Sequence, residues 1–129
     1  MTIDIMDDKI QCNGEIHDGN IYDSNCPVLY ALNIIGQKWK LPILWHLMLK
    51  DATRYNELKR SLNGITNTML TKCLRELEKH NLVKRVEYDT KPPKVEYSLT
   101  DRGKALMPTL NDLYTWGEEQ YKLDHEELD

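Results

Sequence analysis

The side chains best suited to recognition chemistry are concentrated in one stretch, NGITNTMLTKCLRELE, residues 63–78. Thr66, Asn67, Thr68 and Thr71 crowd the opening of a segment whose second half, with Leu70, Leu74 and Leu77 on one face, is an ordinary amphipathic helix. Short polar residues of this kind weaken a helix interior, because their side chains compete for backbone hydrogen bonds. At a helix start they cap, and they allow close approach of another polar surface. An Asn there can make paired hydrogen bonds to adenine, and a Thr offers a hydroxyl with a methyl for thymine. Lys72 and Arg75 follow on the same polar side, within reach of phosphate or guanine.

Other chemistries find little support. Cys12, Cys26 and Cys73 form no Cys-x-x-Cys pair, and His17, His46, His80 and His125 have no ligand spacing, which argues against a metal site. No nucleophile–base–acid set and no phosphate loop is present, so neither an enzyme nor a bound cofactor is expected. Cys73 shares the apolar face of Met69, Leu70, Leu74 and Leu77 and reads as a small buried hydrophobe. His46 reads as a surface or half-buried packing residue.

The elements that would position these residues follow from periodicity. Residues 1–25 carry turn signals (Asn13-Gly14, Asp18-Gly19) without sustained periodicity and read as an arm. Pro27 opens a first helix that Gly36 ends. A second helix covers roughly Trp39 to Leu49, with Pro42 in its first turn and Ile43, Leu44, Leu47 and Met48 as its buried stripe. A third, carrying Tyr55, Leu58 and Leu62, closes at Asn63-Gly64 in left-handed geometry, and Thr66 caps the fourth. The period then changes to two. In KRVEYD, Val86 and Tyr88 alternate with polar residues, as do Val95, Tyr97 and Leu99 in KVEYSL. These are two half-buried strands of a hairpin, with Pro92-Pro93 at its tip because neither can donate a ladder bond. Thr100-Asp101 then opens one long helix to about Leu123, before a short acidic tail.

Helix, helix, helix, tight turn, helix, hairpin, helix is the part list of a winged helix-turn-helix. The fold class expected is therefore mainly α with a small β-hairpin: an arm (1–25), a winged helix-turn-helix domain with dimerisation helices (26–123) and an acidic tail (124–129). A helix of this kind reads base edges with its N-terminal portion, and its dipole and free N–H groups favour phosphate. Lys91 and Lys94 flank the prolines at the wing tip, suited to the minor groove or to flanking phosphates. Arg54, Lys59 and Arg60 surround the supporting helix and are weaker candidates for phosphate contact.

The charge distribution agrees. Over the 129 residues the net charge is −4, an unpromising value for a nucleic-acid binder. Residues 27–100, however, hold thirteen Lys or Arg against seven Asp or Glu, a surplus of six positive charges flanked by acidic ends. The N-terminus has neither the basic nor the apolar region of a signal peptide, and no apolar run approaches the roughly 18 residues of a membrane span. A cytoplasmic location with no membrane partner is expected.

From Cys26 onward the chain resembles the HxlR-type branch of the winged-helix transcription regulators, relatives of the MarR group. The resemblance rests on CPVLYALNIIGQKWKLPIL, RYNELKRSLNGITNTMLTKCLRELEKHNLVKR, PPKVEYSLTDRGKAL and Trp116. Gln37 departs from it, since members commonly carry a second Gly before Lys-Trp. The resemblance implies a homodimer, joined through the first and last helices, that binds double-stranded DNA at an inverted-repeat operator. Both terminal helices do carry more apolar surface than one small domain buries. Val28, Leu29, Leu32 and Ile35 could face Leu110, Leu113, Trp116 and Tyr121 of either subunit. Members often sense oxidants or electrophiles through a cysteine just before the first helix, the position of Cys26. A thiol there has its thiolate stabilised by the helix dipole, and Cys12 is a candidate resolving partner. An alternative is a winged-helix module for protein–protein assembly without operator specificity; it would more naturally show apolar anchors on the fourth helix.

Overall fold

The computed structural model describes residues 26–126. The expected arm, with Cys12, and the last three residues of the expected tail lie outside the described residues.

Helix α1 (Pro27–Ile35) starts on Pro27, whose missing N–H costs nothing in the first turn, and Gly36 closes it by donating to the Leu32 carbonyl at 2.7 Å. Helix α2 (Lys40–Leu49) buries Ile43, Leu44 and Leu47, with Pro42 in its first turn as expected. Helix α3 (Tyr55–Ser61) ends at Leu62, and the chain reverses through Gly64 at φ +94°, a left-handed conformation open to glycine at little cost. Helix α4 (Asn67–Lys79) follows, capped by the Thr66 hydroxyl, which accepts from the Met69 N–H at 3.1 Å. Leu70, Cys73, Leu74 and Leu77 of α4 are all buried. Each leucine so placed contributes about 1.5–3 kcal/mol, which anchors α4 by one face and leaves the other to solvent.

The sheet holds one strand more than the hairpin read from periodicity. A two-residue strand β1 (Thr53–Arg54) pairs with β3 (Lys94–Leu99), which pairs with β2 (Val83–Tyr88), in the antiparallel order β1-β3-β2. Thr53 lies opposite Tyr97, is fully buried, and its hydroxyl donates to the Lys50 carbonyl at 2.7 Å. Two residues are too short for alternation to register. Because β3 is central, Ser98 is buried along with Tyr97 and Leu99. Tyr88 was expected on the half-buried face. It is instead 41% exposed, because β2 runs past the core toward the wing tip.

The long last helix is broken. Helix α5 (Asp101–Lys104) is a single turn capped by Thr100, and α6 (Met107–His125) begins anew with Pro108 in its first turn. A proline clashes with the carbonyl four residues earlier, so the helix cannot run through Lys104 into Pro108 unbroken. Helix α6 also runs two residues beyond Leu123, so the expected acidic tail starts helical.

The end of α4 is tied to the start of α5. Carbonyls in a last helical turn lack intrahelical donors. Arg102 donates to the His80 carbonyl at 3.1 Å, and the Thr100 hydroxyl donates to the Asn81 carbonyl at 2.6 Å. The same hydroxyl accepts from the Gly103 N–H at 3.0 Å. Gly103 sits so near β2 that a Cβ there would lie 2.2 Å from the Leu82 carbonyl oxygen.

One buried charge links α1 to α4. Lys40 is 3% exposed; its ammonium donates to the Ile34 carbonyl at 3.0 Å and lies 3.1 Å from Glu76 Oε1. The carboxylate contact is an ion pair whose angles are poor for a directed hydrogen bond.

Candidate nucleic-acid interface

The exposed side of α4 is a single polar face. Asn67, Thr68, Lys72 and Arg75 are exposed, Thr71 is half-buried, and these five with Glu76 line one shallow groove. The first turn carries no acid, so apart from the Thr66 cap on the Met69 N–H no side-chain charge offsets its positive dipole end. Glu76 borders this groove, but Lys40 partly neutralises it from behind. The arrangement can donate and accept hydrogen bonds at base edges and hold phosphate with Lys72 and Arg75.

A second groove, of about 380 Å³, lies between α3 and the wing, lined by Arg54, Tyr55, Asn56, Glu57, Arg60, Pro93 and Val95. Arg54 therefore flanks the α4 face without belonging to it, in company with Arg60. Glu57 in this groove pairs with Lys50.

At the wing the two lysines differ. Lys91 is exposed. Lys94 is drawn back along the hairpin: its ammonium lies 3.5 Å from Glu96 and 5.2 Å from the centre of the Tyr88 ring. Lys94 opens β3, where Glu96 shares its face two residues on, so its charge is partly spent.

Sequence reasoning missed the polar role of Tyr55. Its hydroxyl, reaching from α3, lies 3.1 Å from the Asn67 carbonyl, 3.2 Å from Asn67 Oδ1 and 3.2 Å from Thr71 Oγ1. The sequence pattern places Tyr55 with Leu58 and Leu62 in a helical stripe, where nothing local marks its hydroxyl.

The expected interface residues separate into two groups. Val28 (64%), Leu32 (39%), Leu113 (48%), Trp116 (61%) and Tyr121 (64%) stand exposed on α1 and α6, joined by Tyr30, Tyr114 and Leu123; Leu29 is half-buried. Leu110 is 4% exposed and belongs to the core of its own chain, because the start of α6 packs against α2. Trp45 of α2 stacks on Tyr114, their ring centres 5.2 Å apart.

The cysteines divide as well. Cys26 is buried at the N-cap of α1 and is disulfide-bonded. Cys73 is a free, fully buried thiol whose pKa is raised, chiefly by burial. His46 is half-buried with Nε2 unpartnered; burial, and then the Lys50 charge, push its pKa below the ordinary value. Among the described residues no group of acidic, His or Cys side chains could hold a metal, and no helix is long and apolar enough to cross a membrane.

A capped helix with a polar, acid-free opening, carried on a tight turn beside a three-stranded wing, defines a winged helix-turn-helix DNA-binding protein. Residues 34–125 match the family model described as HxlR-like helix-turn-helix, and the chain belongs to that family. It is 51% identical over 94 residues to the MalR protein of Fusobacterium mortiferum, named as a regulatory protein, a match spanning 73% of this chain and 89% of that one. It is 48% identical over 98 residues to the HTH-type transcriptional regulator BH0655 of Halalkalibacterium halodurans, spanning 76% and 85%. Among solved structures, the redox regulator HypR in its reduced form superposes with a TM-score of 0.72 at 42% identity, over 78% of this chain and 98% of that one. Its oxidised form gives 0.69 at 46%, over 73% and 96%. The protein is a helix-turn-helix transcriptional regulator, and its relatives are regulators rather than enzymes.

Proposed function

We propose that this chain acts as a homodimer that reads an inverted-repeat operator with α4 of each protomer and responds to oxidants or electrophiles through Cys26. The observation that carries the reading is the division of α4. Leu70, Cys73, Leu74 and Leu77 are buried, while Asn67, Thr68, Lys72 and Arg75 form one exposed row. Thr66 holds the opening turn, Asn67, Thr68 and Thr71 face bases, and Lys72 and Arg75 take bases or phosphate. Arg54 and Lys91 contact flanking phosphates, with Lys94 contributing less. The exposed apolar residues of α1 and α6 account for self-association: Val28, Leu32, Leu113, Trp116 and Tyr121 would meet their counterparts across a two-fold axis.

For sensing, a peroxide takes the Cys26 thiolate to a sulfenic acid, and a second thiol displaces water to form a disulfide. With Cys73 buried, Cys12 is the partner we assign. Support comes from the disulfide state of Cys26 and from the likeness to a regulator solved in both redox forms.

The test is affinity for the DNA upstream of the gene against random duplex, across a salt series. Preference for the upstream DNA, with a steep fall as salt rises, is expected; equal binding to both refutes operator reading. Sedimentation reports the dimer. Cys26→Ser should bind DNA as the reduced protein does and ignore peroxide, and a wild-type response in that variant would make Cys26 structural.

A further inference from the structure

The hydroxyl of Tyr55 is the one polar atom of α3 that touches the reading face of α4 by hydrogen bonds among the described residues. It has a single proton and two lone pairs. Its neighbours are the Asn67 carbonyl oxygen at 3.1 Å, Asn67 Oδ1 at 3.2 Å and Thr71 Oγ1 at 3.2 Å. Two of these, both oxygens of Asn67, can only accept, so the one Tyr55 proton is shared between them. Thr71 must then donate its own hydroxyl proton to the Tyr55 oxygen.

We propose that Tyr55 is a specificity-positioning residue: its hydroxyl fixes the hydrogen-bonding polarity that Asn67 and Thr71 present to DNA. The inference rests on the DNA-reading function proposed above and deepens it. With Oδ1 held toward Tyr55, Asn67 turns its NH₂ outward as a donor. With its proton spent, Thr71 offers only acceptor lone pairs and its methyl. Asn67 then suits a major-groove acceptor, a purine N7, a guanine O6 or a thymine O4, better than the paired donor–acceptor contact of adenine. Thr71 suits an amino group of cytosine or adenine, or a thymine methyl. An exposed Asn without such a tether rotates between both polarities and reads less sharply. The Tyr55 ring is partly buried against the core, which holds it in place while its hydroxyl reaches α4.

The experiment uses a duplex that the full-length wild-type protein selects from a random-sequence pool, together with its single-base-pair variants. Wild type, Tyr55→Phe, Asn67→Ala and the double variant are titrated with each. Tyr55→Phe keeps the ring, so the fold, the dimer and the salt dependence should persist. Discrimination at the base pair read by Asn67 should fall by about three- to tenfold, the worth of one oriented hydrogen bond. Other positions should hold, and in the Asn67→Ala background the hydroxyl should make no difference at that base pair. Thr71→Val, which breaks the network from the α4 side, should relax a neighbouring base pair in the same way. Unchanged discrimination in Tyr55→Phe, or a uniform loss at every position, overturns the assignment and leaves Tyr55 a packing residue. If the wild-type protein selects no sequence, operator reading itself fails, and this inference with it.

Discussion

The buried Lys40 provides the sharpest quantitative prediction. Its side chain is 4% exposed, its ammonium hydrogen-bonds the Ile34 carbonyl at 3.0 Å, and it sits 3.1 Å from Glu76, which is 33% exposed. Replacing it by Met keeps the unbranched stem and removes the charge. The Ile34 carbonyl, at the end of α1 where no intrahelical donor is available, then loses its partner. Glu76 loses its counter-charge. Breaking a fully buried pair costs about 3–5 kcal/mol. Because a third of Glu76 reaches water, solvent screening reduces the figure, and the net loss should be about 2–3 kcal/mol. Against a total of roughly 5–15 kcal/mol for a domain, that is a readily measured fraction. Urea denaturation of wild type, Lys40→Met, Glu76→Gln and the double variant, followed by tryptophan fluorescence, closes a cycle with an expected coupling of about 1–2 kcal/mol. A loss below about 0.5 kcal/mol for Lys40→Met, or strict additivity of the two substitutions, would refute the reasoning, because the pair would then be solvated or incidental.

Further consequences can be checked on the same material. Thr66→Ala should cost about 1 kcal/mol by uncapping α4, visible as a lower urea midpoint, and no shift would mean that the cap is redundant. Gly103→Ala places a Cβ 2.2 Å from the Leu82 carbonyl oxygen and should destabilise by about 1–3 kcal/mol or more; an unchanged melting temperature would show that α5 can slide. The lowered pKa of His46 means that the folded state binds a proton less readily than the unfolded chain, whose value is near 6.5. Its contribution is therefore present above pH 6.5 and lost as pH falls through the folded-state value. A His46→Gln variant should have a flatter stability profile below that pH, and an identical profile would contradict the assignment. Cys73, with its thiol pKa raised mainly by burial, should resist alkylation in the native protein and react on unfolding in urea; rapid native labelling would place it at the surface.

Much of this arrangement was legible in the sequence because it rests on local rules. The Pro27, Gly64 and Thr66 positions each satisfy a backbone requirement within a few residues, so α1, the turn and α4 are found where composition places them. The α4 face was legible for the same reason, since period 3.6 separates Leu70 and Leu74 from Asn67 and Lys72. What escaped was decided by contacts distant in sequence. Thr53 joins the sheet only because Tyr97 lies opposite. The Tyr55 hydroxyl gains its meaning twelve residues away at Asn67, and Lys40 gains its own at Glu76. Lys94 looked free at a basic tip, and is held by the pairing geometry of its own strand. Leu110 and Leu113 share a stripe in the sequence, yet one is core and the other surface, although Tyr114, one residue further on, still stacks on Trp45 of α2. The break before α6 was within reach: Pro108 forbids one continuous helix.

The Thr100 hydroxyl ties Asn81, just past the end of α4, to the first turn of α5 with one oxygen. From this joint α6 extends 19 residues, about 28 Å at 1.5 Å per residue. Mechanically the pair forms a short hinge bearing a long lever. A play of about 10° at the hinge would swing the far end by about 5 Å, more than the 3.4 Å step between base pairs. In a dimer held through α6, the separation of the two α4 helices inherits that error. The tolerance to which such a dimer could measure the spacing of its half-sites would then depend on how stiffly Thr100, the glycine packed beside it and the α2 surface under the start of α6 hold that lever.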